Sequence, residues 1–89
     1  MNENILPNDE LATIAFIFML QNYKKQLVNR YNYLDFEANV EDNFRLIAQK
    51  RGYLAKGGED VEKAYKVFLN ELKNGVLGPI TFERVPDNA

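Results

Sequence analysis

The sequence predicts an all-α fold, a small bundle of three to four helices with an extended C-terminal tail. The clearest sign lies near the C-terminus. There Val61, Ala64, Tyr65, Phe68, Leu69 and Leu72 recur at i, i+3, i+4, i+7, i+8 and i+11, one face of an α-helix. A second sign is the set Val40, Phe44, Ile47 and Ala48, spaced i, i+4, i+7 and i+8. The third is the run over residues 11–20, apolar except for Thr13. No sheet core is expected.

The elements follow in order. Residues 1–8 read as a linker or N-terminal extension, residues 9–84 as the helical domain and residues 85–89 as a disordered tail. Asn8 or Asp9 is placed to cap the first helix, and Asp9 and Glu10 suit its positive end. The apolar run that follows is too short for a bilayer, which needs about 20 residues. It is also apolar all round, more than one buried face requires. With Leu11 at zero degrees and 100° per residue, Ile14, Ala15 and Phe18 form one stripe. Phe16, Met19 and Leu20 then extend a neighbouring face, and Ile17 turns toward the far side. The surplus marks Phe16, Ile17 and Leu20 as candidate docking residues.

Tyr23, Leu27 and Tyr31 share a helical face and define a second helix, and Tyr33-Leu34-Asp35-Phe36 reads as a connection. Asn39 is placed to cap the third helix, and Gly52 to stop it in the left-handed conformation. The last long helix covers about residues 60–74 and ends at Gly75. Pro79 forbids another helix there. Ile80 and Phe82 alternate with Thr81 and Glu83, as in an extended tail.

Composition narrows the chemistry. At 89 residues the chain makes one small domain, which buries roughly 60–65% of its unfolded surface. Hydrophobic residues at 46% and charged residues at 27% are ordinary globular values. With no cysteine and no histidine, disulfides, the usual zinc sites and histidine-based catalysis are excluded. The polar N-terminus lacks the basic region of a signal peptide, so a cytoplasmic protein is expected. The net charge of -2 hides an asymmetry: residues 1–43 carry -4, residues 44–66 carry +3. A polyanion would meet the middle of the chain.

Nucleotide chemistry finds no motif. A phosphate loop needs G-x-x-x-x-G-K-[ST], and Lys56-Gly57-Gly58 has its lysine before the glycines. No Asn-Lys-x-Asp guanine-reading motif occurs. The chain itself is therefore expected to be no enzyme and to hold no cofactor and no metal. The basic segment is the better candidate. Lys50, Arg51 and Lys56 bracket Gly52 and Tyr53, a set suited to phosphates and to stacking on a base. Lys63, Lys66, Asn70 and Lys73 continue it along the polar face of the last helix.

A plainer reading stands beside this one. Lys50 and Arg51 sit in a helix's last turn, where the dipole favours cations. Arg51 lies near the apolar face and could tie the loop down. Tyr53 falls at the position that packs back on the helix. Glu59 with Lys63 and Glu62 with Lys66 are i, i+4 pairs that support any exposed helix. Glu41-Asp42 and Glu59-Asp60 sit at helix starts, where capping explains both.

The combined motifs resemble a known family. These are Tyr23, Leu27 and Arg30-Tyr31, then Ile47-Ala48-x-Lys50-Arg51-Gly52, Lys56-Gly57-Gly58, Ala64, Gly75 and Gly78. Together they look like the C-terminal helical domain of the ribosome biogenesis GTPase A family, over about residues 9–83. In three places the sequence departs from the family pattern: Lys24 stands where proline is usual, Tyr65 where a second alanine is usual, and Pro79 where a basic residue is usual.

The resemblance implies a fold similar to antiterminator-type RNA-binding domains. It implies contact with ribosomal RNA during large ribosomal subunit maturation, expected through Lys50, Arg51, Lys56, Gly57 and Gly58; the basic face read from the spacing of the last helix adds Lys63 and Lys66 as secondary contacts. It implies a permuted GTPase domain, with GTP and magnesium, ahead of this domain; the surplus apolar surface of the first helix is expected either to dock that domain or to be covered by Tyr31, Tyr33, Phe36 and the C-terminal tail. A monomer without membrane contact is expected. The alternative is a protein-interaction module whose apolar first helix is the sticky surface.

Overall fold

The computed structural model describes residues 6–80. They form α1 (Asn8–Asn22), α2 (Lys24–Arg30), α3 (Val40–Arg51), β1 (Leu54–Ala55), β2 (Gly58–Glu59) and α4 (Val61–Lys73). The fold is mostly helical, as expected. α4 packs against both α1 and α3, and α1 also touches α2 and α3.

The core is aromatic. Phe16 of α1, Phe44 of α3 and Phe68 of α4 form a triangle with centroids 5.4, 5.9 and 5.3 Å apart. Tyr31 adds a ring 5.8 Å from Phe68, and Tyr65 one 4.9 Å from Phe44. Such tilted and edge-on contacts suit the ring quadrupoles. Ala12, Met19, Leu27, Ile47, Ala48, Ala64 and Leu77 complete the buried set.

α1 buries one face of its apolar circumference. Ala12, Phe16 and Met19 are inside, whereas Leu11, Ile14 and Ile17 are exposed. Phe16 is therefore core and not part of a docking surface. A helix apolar all round has no angular preference of its own, so the face is set by its neighbours. The Phe16 ring is the one that fits between Phe44 and Phe68. The start of α1 also differs. Its first bond runs from the Leu11 N–H to the Pro7 carbonyl, with no side-chain cap. The Asn8 amide instead donates to Glu62 at 3.0 Å, tying α1 to α4.

The other helix ends follow the local chemistry. The Asn39 side chain accepts from the Asp42 N–H at 2.7 Å. Gly52 sits at φ 73°, and the Tyr53 N–H returns to the Ala48 carbonyl at 2.8 Å. This is the six-to-one bond of a glycine-terminated helix. α4 ends the same way, with Val76 N–H on the Glu71 carbonyl and Gly75 at φ 77°. Its N-cap is Asp60, which accepts from the Lys63 N–H at 3.1 Å.

Asn43 orders the connection between α2 and α3. It is buried, exchanges both hydrogen bonds with the Asp35 backbone at 2.7 and 2.9 Å, and donates to the Asn39 carbonyl at 3.0 Å. Beyond α4 the chain turns at Gly78, φ 102°, where a side chain would press on Gln26. Gln26 in turn donates to the Pro79 carbonyl at 3.2 Å. Ile80 packs on the core cluster. The alternation expected over residues 81–83 lies outside the described residues.

Candidate nucleic-acid interface

The segment between α3 and α4 is a small antiparallel hairpin, not an open loop. Leu54 pairs with Glu59 and Ala55 with Gly58, leaving Lys56-Gly57 at the turn. The Asp60 N–H adds a bond to the Tyr53 carbonyl at 2.9 Å and so closes the base of the hairpin. Gln49 donates to the Glu59 carboxylate at 2.7 Å and holds β2 to α3. That contact also holds the Glu59 carboxyl below its usual range, the Gln49 hydrogen bond being the main cause. Gly58, at φ 134°, needs to be glycine.

The six cations of residues 44–66 divide into two groups. Both arginines are engaged within the fold. Arg45 pairs with Glu41 at 2.9 Å along α3. Arg51 turns inward to Glu71 of α4, at 2.7 and 3.4 Å. Its guanidinium also lies 5.4 Å from the Tyr31 ring centre. Glu71 receives Arg30 at 2.9 and 3.1 Å and the Tyr31 hydroxyl at 2.5 Å as well. Burial works against ionising Glu71. The hydrogen bonds from Arg30, Arg51 and Tyr31 outweigh it and hold the carboxyl at about 2. The Glu71 hydrogen bond raises Arg51 further above its usual value, against the opposing effect of burial.

The four lysines behave differently. Lys50, Lys56, Lys63 and Lys66 are all exposed. None has a carboxylate within ion-pair distance among the described residues. The i, i+4 pairs that would neutralise the α4 lysines do not form. Glu59 is taken by Gln49, and Glu62 by Asn8. Lys63 instead places its ammonium 4.7 Å from the centre of the Tyr53 ring. That contact brings the polar face of α4 to the base of the hairpin. It also covers one face of Tyr53, which is half-buried and less free to stack than its sequence position suggests.

Gly57 and Gly58 are exposed, with nothing within 4 Å of where a side chain would start. A phosphate or sugar could approach the backbone there. Leu54, which the sequence pattern did not single out, is 75% exposed at the edge of the same hairpin. Among the described residues no group of three or more His, Cys, Asp or Glu side chains is placed to hold a metal ion. No helix among them is long and apolar enough to cross a membrane.

No family model matches the chain. Individual relatives do. "Ribosome biogenesis GTPase A" of Bacillus cereus is 34% identical over 84 residues, which is 93% of this chain and 28% of the relative. The protein of the same name in Priestia megaterium is 30% identical over 84 residues, again 93% of this chain and 29% of the relative. That of Thermotoga maritima is 38% identical over 55 residues, 61% of this chain and 21% of the relative.

The chain corresponds to the C-terminal helical domain of the ribosome biogenesis GTPase A family.

It spans under a third of the length of these relatives. The family motifs acquire physical roles in the fold. Leu27 and Tyr31 are core, and Arg30 and Arg51 meet on Glu71. Gly52 and Gly75 terminate helices, and Gly78 makes room for Gln26. Lys24 places its ammonium 4.8 Å from the centre of the Phe36 ring. Much of the GTPase A motif set in this chain is therefore a set of fold constraints. Lys50 and Lys56-Gly57-Gly58 are the motif positions that this packing leaves free.

Proposed function

We propose that this chain is the RNA-binding domain of a ribosome assembly GTPase and contacts ribosomal RNA in large ribosomal subunit precursors. One observation carries the reading: four exposed lysines lie within or to either side, in sequence, of an open, glycine-rich hairpin, and the acids nearest in sequence are engaged elsewhere. Lys50, Lys56, Lys63 and Lys66 supply phosphate contacts, and Gly57-Gly58 permits close approach. Arg51 acts indirectly, by fixing the hairpin's base on Glu71. GTP and magnesium belong to the GTPase domain of such a protein, so the contribution of this chain is binding, in the cytoplasm.

The test is a salt titration of ribosomal RNA binding by the chain and by its Lys50→Gln, Lys56→Gln double variant. Each lost phosphate contact should flatten the log–log slope by about 0.7–0.9. An unchanged slope with unchanged affinity would sink the reading.

A second reading is favoured by α1. Leu11, Ile14 and Ile17 are 40%, 55% and 39% exposed on one side of that helix. The GTPase domain of the same protein is the partner that the family architecture offers. Leu20 is half-buried and sits at the margin of this surface. The two readings use different surfaces and are compatible.

A further inference from the structure

We propose that the 54–59 hairpin makes the domain selective for irregular RNA with unpaired bases, Leu54 packing on an unstacked base while Lys56 holds an adjoining phosphate. This rests on the RNA-binding reading and adds to it a specificity-determining residue.

The first support is the exposure of Leu54. At 75% it is the most exposed large hydrophobic residue among those described, and it stands two residues before Lys56 on the same hairpin. The second is rigidity. The hairpin is anchored at its base by the Asp60–Tyr53 backbone bond, by Gln49 on Glu59, and by Lys63 over Tyr53. Leu54 is thus held outward on a fixed support. The third is access. Gly57 and Gly58 leave open space beside the turn, and Lys56 between them and Leu54 has no carboxylate partner among the described residues.

The chemistry selects the ligand. Phosphate contacts position a protein on RNA but do not discriminate among RNAs. An aliphatic side chain gains nothing from a phosphate. In a regular A-form duplex the base faces are stacked and the major groove is too deep and narrow for side chains. Leu54 therefore finds an apolar partner only where a base is splayed out, in a loop, bulge or end. The half-covered Tyr53 ring cannot fill this role from both faces.

The experiment uses the 89-residue chain and two RNA probes of equal nucleotide number, a stem-loop with a bulge and a perfect duplex. Binding is followed by fluorescence anisotropy at several salt concentrations, up to about 100 μM protein, the weak end of non-specific affinity. The wild-type chain should prefer the stem-loop. Leu54→Ser should weaken stem-loop binding about fivefold or more, as expected for loss of a base-packing contact. Its duplex binding and both salt slopes should not change. Leu54→Phe should retain or strengthen stem-loop binding. Lys56→Gln should weaken both complexes and flatten both slopes.

Because Leu54 is exposed, its replacement should leave the helical circular dichroism signal intact, which is checked alongside. Stem-loop affinity unaffected by Leu54→Ser, or equal loss on both probes, overturns the selectivity while leaving RNA binding standing. Unchanged Leu54→Ser binding to RNA, with loss of binding to the GTPase domain, would assign Leu54 to a protein contact instead. Failure of the wild-type chain to bind either RNA removes the RNA-binding reading itself, and this inference with it.

Discussion

The Arg51 guanidinium lies 2.7 Å from the Glu71 carboxylate and joins the last turn of α3 to the last turn of α4. Arg30 reaches the same carboxylate from α2, and Tyr31 donates its hydroxyl to it. One anion therefore fastens three helices together. The side chain of Glu71 is 14% exposed, those of Arg30 and Arg51 39% and 23%. The hairpin begins three residues beyond Arg51, so this junction fixes the direction in which Lys56 and Leu54 leave the bundle.

Glu71→Gln should destabilise the domain by about 3–4 kcal/mol at neutral pH. The folded carboxyl is held at about 2 against an ordinary 4.5, and one pK unit corresponds to about 1.4 kcal/mol. A depressed carboxylate stabilises the fold above its unfolded pKa and loses that effect as pH falls through the folded value. The gap between wild type and variant should therefore be full above about pH 5. It should close between about pH 4.5 and pH 2. Urea denaturation across that range measures it, and a gap independent of pH would contradict the assignment.

Arg51 and Lys50 are neighbours in sequence with opposite expected effects. Arg51→Gln leaves Glu71 with Arg30 and the Tyr31 hydroxyl and removes the guanidinium from the Tyr31 ring. It should cost about 1–3 kcal/mol of stability. Lys50→Gln touches no partner and should stay within about 0.5 kcal/mol. Thermal melts of the two variants separate the structural cation from the free one. Loss of RNA binding in Arg51→Gln would then have to be measured where the variant is still folded.

Phe16→Ala and Ile17→Ala make a similar pair. Phe16 is 1% exposed, between Phe44 and Phe68, and its truncation should cost about 3–5 kcal/mol. That is a large share of the stability of a small domain. Ile17 is 39% exposed, and its truncation should cost under about 1 kcal/mol. Denaturant midpoints for the two variants check the buried face of α1 directly.

These pairs also mark the limit of what the sequence tells. α4 was legible because its apolar residues fill one stripe and its lysines the other. Asn39 and Gly52 were legible because helix ends obey local chemistry. α1 was not, because apolar residues surround it and only the packed neighbours choose Phe16 over Ile14. The hairpin was not, because strands of two residues are too short for any alternation to appear. The Glu71 junction was hidden for another reason. Its partners lie 41, 40 and 20 residues away, and local i, i+4 rules say nothing about them. The same rules suggested Glu59–Lys63 and Glu62–Lys66 pairs, whereas Gln49 and Asn8 take those acids from other helices. Within the candidate site the lysines were legible as charge. The outward Leu54 was not, since nothing in one sequence distinguishes an exposed leucine from a core one.

The exposed side of α1 yields the last prediction. Leu11, Ile14 and Ile17 follow i, i+3 and i+6 on α1, and all three are exposed. Leaving a large aliphatic side chain in water forgoes about 1.5–3 kcal/mol of burial when the chain is fully exposed, and correspondingly less here. Three such residues on one side of a helix give a covering surface something to gain. The triple variant Leu11→Ser, Ile14→Ser, Ile17→Ser should keep the helical bundle, because Ala12, Phe16 and Met19 hold α1 in place. It should cost the isolated chain little stability beyond the lower helix propensity of serine, about 0.5 kcal/mol per site. In a protein carrying the GTPase domain it should lower the melting temperature of the docked pair and raise hydrogen exchange along α1. Sedimentation of the isolated wild-type chain supplies the competing outcome. If the chain dimerises and the triple variant does not, this side of α1 is a self-association surface and the docking assignment is wrong. If the chain is monomeric and the two-domain protein responds to the substitutions, the surface belongs to the GTPase domain.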